Sequence, residues 1–197
     1  MDSSAVVIVA AGEGRRLGLG PKALVELDGE TLLARCLDQV REAGFGRVVA
    51  VLPPGLDCPI SGLHSVSNTQ PESASLGSVV AGLRAVEAAG AITDLVVWPV
   101  DHPWVRASQL LALRSAAEGA GHEVSRIVPV WNGRRGHPIW IRTPGVIRLR
   151  SVESVLKGTL RDELVAAGPT LEISARDDAV VRNLNEPDDL RTDPRRA

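Results

Sequence analysis

Short unbroken apolar runs recur along the chain: AVVIVA from Ala5 to Ala10, RVVAVL from Arg47 to Leu52 and DLVVWPV from Asp94 to Val100. A strand with one wet face alternates apolar and polar residues, so an unbroken run suits a strand buried on both faces of a parallel sheet. Between the runs the period changes. Leu32, Leu33, Cys36, Leu37 and Val40 recur at helical spacing, which predicts a helix over Thr31 to Ala43 that Gly44 stops. Two more helices are predicted, Leu76 to Ala89 with Ser75 as N-cap and Ser108 to Glu118.

In the second half, strands over Arg126 to Trp131 and Pro138 to Ile141 flank Asn132-Gly133, a strong turn signal that predicts an antiparallel hairpin. Short helices near Val146 to Leu156 and Leu160 to Ala166 follow, then strands over Thr170 to Ile173 and Ala179 to Arg182 and a helical turn after Pro187. Gly55 to Ser73 reads as loop with one weak strand near His64 to Ser67. Strands alternating with helices predict an α/β fold, with a mainly parallel sheet covered on both faces and a mixed edge supplied by the hairpin. Residues 1–191 form one expected domain, and 192–197 a frayed tail.

Composition narrows the function. The 197 residues carry a formal net charge of -2, which gives general nucleic-acid binding no electrostatic support. With four Trp, one Phe and no Tyr, the core must be aliphatic, and a stacking platform for single strands is not expected. Cys36 and Cys58 lack the spacing of a zinc site or disulfide scaffold, and Cys36 falls in the apolar helical pattern as a core residue. There is no basic region followed by an apolar stretch and cleavage site. No apolar run approaches the roughly 20 residues of a membrane helix, so the expected location is the cytoplasm.

Several segments carry candidate chemistry. Ala10-Ala11-Gly12-Glu13-Gly14-Arg15-Arg16 runs on to Lys22 from the carboxyl end of the first strand, where open α/β sheets bind ligands. Glycines let backbone N–H groups approach and cradle an anion. Arg16 and Lys22 add fixed positive charge suited to a triphosphate. The loop has no Gly-Lys-Ser/Thr, which excludes a Walker loop, and the next helix starts about ten residues too late for a dinucleotide turn. A solvated surface loop is the competing reading. Asp101 follows the third strand, as a hard oxygen ligand for Mg²⁺ or as a helix N-cap. Asn183 and Asn185 share a face if their segment is extended, and their amide oxygens could complete a magnesium shell, although Glu186-Pro187-Asp188-Asp189 equally reads as a helix start. Asn68 and Ser75 precede a helix N-terminus and could hold a base, ribose or phosphate; loop and cap suffice as the alternative. His137 in Gly136-His137-Pro138, with Arg134 and Arg135 beside it, is a candidate contact for an anionic acceptor, or merely structural.

Together these segments resemble the family of molybdenum-cofactor nucleotidyltransferases, the MobA/MocA-like NTP transferases, from Val6 to Leu190. The most specific match is Ala10-Ala11-Gly12 … Arg16-Leu17-Gly18 … Lys22. Asp101 corresponds to the family's strand-end metal aspartate, and Asn68 … Ser75-Leu76 … Gly82-Leu83 to its Asn-bearing loop. Ala-Ala-Gly and Gly136-His137-Pro138 are similar to the cytidylyl branch, with Gly158-Thr159-Leu160-Arg161-Asp162 a looser match to it. Asn183-Leu184-Asn185-Glu186-Pro187 is nearer the guanylyl branch.

The resemblance implies a Rossmann-like three-layer α/β/α nucleotidyltransferase fold. It implies transfer of NMP from an NTP, CTP favoured over GTP, to a phosphorylated acceptor such as molybdopterin, with release of pyrophosphate. Arg16, Lys22 and Asp101 are the expected catalytic residues. Ala10, Ala11, Gly12, Gly14, Lys22, Asn68 and Ser75 are expected to bind nucleotide, His137 and Arg135 the acceptor, and Asp101, Asn183 and Asn185 Mg²⁺. A molybdoenzyme or its chaperone is the implied protein partner. Sugar-phosphate, phosphocholine and isoprenoid-precursor transferases share the loop. A catalytically silent nucleotide-binding protein and a nicotinamide-dependent oxidoreductase are the rivals from other classes.

Overall fold

The computed structural model describes residues 3–70 and 73–191. In chain order they form β1 (Ser4–Val9), β2 (Glu26–Leu27), β3 (Glu30–Thr31), α1 (Leu32–Glu42), β4 (Val48–Leu52), β5 (His64–Ser67), α2 (Ala74–Ala88) and β6 (Asp94–Pro99). Then come α3 (Ala107–Gly119), β7 (Arg126–Trp131), β8 (Arg134–Arg135), β9 (Ile139–Ile141), α4 (Thr143–Arg150), α5 (Leu160–Ala167) and β10 (Thr170–Ser174). Short 3-10 turns occupy Lys22–Leu24, Asp178–Val180 and Pro187–Arg191.

Eight strands form one sheet in the order β10-β7-β9-β6-β1-β4-β5, with β8 paired to β7. The pairs of β1 with β4 and β6, of β4 with β5 and of β7 with β10 are parallel, whereas β9 runs antiparallel between β6 and β7. The expected mainly parallel mixed sheet is therefore present.

The unbroken apolar runs are explained by burial on two faces. Along β1, Val6 and Ile8 join α1 and α3 in one core, while Ala5 and Val7 join α2, α4 and α5 in the other. In α1, Thr31 Oγ1 accepts from the Ala34 N–H at 3.2 Å and caps the start. Gly44, at φ 78°, reverses the chain so that Phe45 N–H reaches Val40 O. Cys36 is fully buried as expected, and burial pushes its thiol up.

Several boundaries differ from the sequence expectation. Ser73, not Ser75, is the N-cap of α2; it is already in the α region, and its hydroxyl donates to Gln70 O rather than capping the helix. The helix expected near Val146 to Leu156 is α4, displaced toward Thr143-Pro144, because Pro fits the first turn and Arg142 supplies the extended residue before it. Ala179 to Arg182 is not a strand: Asp177 Oδ1 accepts from Ala179 N–H and folds the segment into a 3-10 turn. The hairpin β2–β3 turns at Asp28 and Gly29, both at positive φ; it escapes a pattern search because each strand is two residues long. The hairpin at Asn132-Gly133 is present, but its direct return is β8. Between Val130↔Arg135 and Ile127↔Trp140 the returning chain carries two extra residues, which bulge at Gly136 to Pro138. The tail from Thr192 lies outside the described residues.

Gly82 sets how close α2 lies to the sheet. A Cβ there would stand 2.5 and 2.8 Å from the Val7 methyls and 3.1 Å from Val51. Both valines are buried in stiff, close-packed strands. Gly82→Ala should therefore destabilise the fold by about 1–3 kcal/mol, the usual cost of overpacking, despite alanine's better helix propensity. Urea unfolding checks this, and an unchanged midpoint would show that α2 can move outward.

Candidate functional site

Parallel strands β1 and β6 end side by side, with Val9 opposite Pro99. The chain leaves β1 between neighbours β4 and β6, which lie on opposite sides of it. This is the switch point at which open α/β sheets leave a crevice beyond the strand ends. A cleft of about 550 Å³ occupies it. Gly12, Gly14, Arg16 and Lys22 of the glycine-rich loop line one wall, and Asn68, Ser75 and Ser78 at the start of α2 another. Asp101 and Asn185 close the end nearest β6.

The loop is shaped by hydrogen bonds. Lys22 N–H donates to Gly12 O at 3.0 Å, and Leu17 and Gly18 N–H donate to Gly14 O at 2.9 and 3.1 Å. Gly14 is at φ 63°, and a Cβ there would collide with Gly20 O, so glycine is required. Among the described residues, the N–H groups of Ala11 to Arg16 have no backbone partner and are available to an anion. Ala10 differs: it is fully buried, its N–H goes to Val51 O, and it does not line the cleft.

Lys22 is the junction. Its Nζ donates to Asp101 Oδ2 at 2.8 Å, to Asn185 Oδ1 at 2.8 Å and to Leu184 O at 2.9 Å. An ammonium has three N–H donors, and here each meets an oxygen. Arg16 reaches the same Asn185 Oδ1 at 3.4 Å, near the hydrogen-bond limit. Leu184 N–H donates to Asp101 O at 2.7 Å, which holds the late segment against the end of β6.

A carboxylate, an amide oxygen and a carbonyl oxygen converging on one cation are hard donors. They fit a small divalent ion that takes its other ligands from phosphate and water. Among the described residues no group of three His, Cys, Asp or Glu side chains forms a fuller cage.

Of the other expected site residues, some line the cleft and some do not. Asn183 is exposed and does not line the cleft; Asn185 alone of the pair reaches it. Asn68 is buried, donates to Ser78 Oγ at 3.1 Å and Ser73 Oγ at 3.4 Å, and accepts from Gln70 N–H at 2.9 Å. Its bonds tie the end of β5 to α2, and the exposed Ser75 is the hydroxyl left to face a ligand. Arg135 places two guanidinium nitrogens 2.6 Å from Glu172 Oε1 on β10, away from the cleft. His137 lies behind Asp101, its ring 5.0 Å from that of His102. Pro54, Ser78 and Leu184 O are site elements absent from the sequence reading. Pro54 follows β4 at the same sheet edge, which is a usable signal; a backbone carbonyl gives none.

The two histidines are neutral. Burial lowers the His102 pKa; the Asp101 charge opposes this and Lys22 adds to it. Burial, helped by His102, pushes His137 down to about 4, with Asp101 opposing. Proton transfer near pH 7 does not suit such a group. From 6.5 down to about 4 the unfolded chain accepts a proton at His137 that the folded chain refuses. Stability is therefore full above 6.5 and falls as pH drops to about 4, by on the order of 3 kcal/mol for such a shift. His137→Gln should flatten this acid limb in urea melts taken across the window. Parallel wild-type and variant curves would show that His137 titrates normally.

Comparison with known proteins identifies the family of this chain. The model of the MobA-like NTP transferase domain matches residues 6–166. A 2-C-methyl-D-erythritol 4-phosphate cytidylyltransferase of Deinococcus radiodurans is 39% identical over 119 residues, 60% of this chain and 48% of that protein. A molybdenum cofactor guanylyltransferase of Cereibacter sphaeroides is 37% identical over 119 residues, 58% of each chain. The chain thus spans about half the length of the curated relatives it matches. Among solved structures, Rv0371c from Mycobacterium tuberculosis H37Rv superposes with a TM-score of 0.71 at 22% identity, covering 97% of both chains. That protein has also been solved in complex with manganese, with a TM-score of 0.68 at 23% identity over 95% of this chain and 96% of that one. No helix among the described residues is long and apolar enough to cross a membrane. A glycine-rich loop at the end of β1, the Lys22–Asp101–Asn185 junction and a family match over residues 6–166 lead to one conclusion: the chain belongs to the MobA-like NTP transferase family.

Proposed function

We propose that the protein transfers a nucleoside monophosphate, CMP in preference to GMP, from an NTP to a phosphorylated small molecule, with molybdopterin as the acceptor. The observation that carries the reading is the meeting of Lys22 with Asp101 and Asn185 where the glycine-rich loop opens into the cleft. Ala11 and Gly12 line that cleft and belong to the Ala-Ala-Gly stretch that resembles the cytidylyl branch, which supports CTP. Acceptance of 2-C-methyl-D-erythritol 4-phosphate is the second reading, supported by the 39% identity to a cytidylyltransferase acting on it.

In this mechanism the backbone N–H groups of Gly12 to Arg16 hold the triphosphate. An acceptor phosphate oxygen, already ionised at pH 7, attacks the α-phosphorus in line. The new P–O bond forms as the bond to the bridging oxygen breaks, and pyrophosphate leaves with that electron pair. No side chain has to remove a proton, so positioning and charge neutralisation carry the rate. Arg16 and Lys22 stabilise the charge on the α-phosphate and on the departing pyrophosphate. Asp101 and Asn185 would hold Mg²⁺, which when bound neutralises and orients phosphate oxygens. With Asp101 and Asn185 engaged in this way, the Lys22 ammonium would be free to contact phosphate. Asn183, His137 and Arg135 have no direct part.

Pyrophosphate release should appear with Mg²⁺, CTP and the molybdopterin acceptor, and Lys22→Ala should slow it about 10²-fold or more, as loss of a charge-stabilising group does. Release only with 2-C-methyl-D-erythritol 4-phosphate selects the second reading. Undiminished turnover in the Lys22 variant, or none in the wild type with any NTP and acceptor, overturns the mechanism.

A further inference from the structure

Asn185 lies late in the chain, yet its amide oxygen must be held within hydrogen-bond distance of Lys22. Leu184, fully buried, anchors the residue before it. The residue after it is fixed by a second contact. Asp189 Oδ2 accepts from Asn185 N–H at 2.8 Å and from Glu186 N–H at 2.9 Å. One carboxylate oxygen thus grips the two successive peptides that flank the Asn185 Cα, Leu184–Asn185 and Asn185–Glu186. These two bonds hold its carboxyl below the usual carboxylate range, with Arg182 and Lys22 contributing charge. Arg182 itself stacks 4.0 Å over the Trp104 ring beside the segment that follows Asp101. Between the two holds, the Asn185 backbone has little freedom, and its side chain projects to Lys22 and Arg16.

We propose that Asp189 is a positioning residue for nucleotidyl transfer: by gripping the N–H groups of Asn185 and Glu186, it fixes the Asn185 amide oxygen at the cation end of the cleft. Asp189 touches neither the cleft nor the reacting groups and acts through Asn185. The alternative is a helix cap, since Asp189 stands in the first turn of the Pro187–Arg191 helix and its bond to Glu186 N–H is one half of a capping box. A cap contributes to stability alone. The bond to Asn185 N–H goes beyond a cap, because it reaches the residue whose side chain enters the site.

The inference rests on the proposed reaction, and the test separates the two. In the full chain, Asp189→Ala and Asp189→Asn are compared with wild type. The Asn variant loses the charge but keeps an amide oxygen that can accept both bonds. Three quantities are read: kcat and KM for CTP in pyrophosphate release, Mn²⁺ affinity with CTP present by calorimetry, and amide exchange at Asn185 and Glu186. Asp189→Ala should lower kcat about tenfold or more with KM for CTP changed about twofold at most, the signature of misplacement rather than lost nucleotide binding. It should also weaken Mn²⁺ binding and speed exchange at both amides, and Asp189→Asn should restore all three toward wild type. A lower melting temperature with kcat and Mn²⁺ affinity unchanged would make Asp189 a cap and overturn the inference. If wild type releases no pyrophosphate, the proposed reaction fails, but Mn²⁺ affinity and exchange still decide whether Asp189 sets Asn185.

Discussion

A lysine ammonium whose three donors meet the oxygens of Asp101, Leu184 and Asn185 ties together the parts of the chain that make the site. Lys22 ends the glycine-rich loop, Asp101 follows β6, and Asn185 comes near the end of the described chain. The Lys22 and Asp101 side chains are only 14% and 23% exposed. Charges so placed are costly to leave single, because removing one partner strands the other in a poorly solvated place. The constraint therefore works in two directions. It closes the loop and the late segment over the end of the sheet, and it keeps a set of oxygen donors grouped around one positive charge. A site arranged this way is suited to exchanging one cation for another.

The rest of the fold supplies the rigidity that such an exchange needs. The ends of β1 and β6 are fixed by six-residue parallel pairing, and both strands are packed on two faces. The close seat of α2 at Gly82 places Ser75 and Ser78 opposite the loop. Behind Asp101 the neutral His102 and His137 pair fills the space with rings that add no charge to the site. The bulge that carries His137 is joined to the late segment by its N–H, which donates to Val180 O at 2.7 Å.

The chain revealed its sheet because buried parallel strands are written as unbroken apolar runs. Ala5 to Ala10 and Asp94 to Val100 were legible for that reason, and with them the positions of the loop and Asp101 at the strand ends. Gly44 and Asn132-Gly133 were legible because positive φ selects few residue types. What could not be read was set by contacts far apart in sequence. Asn185 is brought to the cleft by a bond from Lys22 to its amide oxygen, with its N–H donating to Asp189, and nothing in the spacing of Asn183 and Asn185 separates them. Asn68 and Arg135 have the chemistry of ligand contacts, but Ser73, Ser78 and Glu172 take it up. Ala179 to Arg182 has the apolar content of a strand, and the Asp177 side chain turns it into a 3-10 turn. Leu184 enters the site through its carbonyl, which every residue possesses.

The proposed mechanism requires that the oxygens around Lys22 form a cation site completed by nucleotide phosphates. Manganese titration followed by electron paramagnetic resonance, with and without CTP, tests it in the wild type and in Asp101→Asn. The expected result is weak binding to the free wild-type protein, tight binding of one ion once CTP is present, and loss of that tight site in the variant. Equal manganese affinity in the two proteins with CTP bound would contradict it, and would leave Lys22 and Asp101 as a structural ion pair.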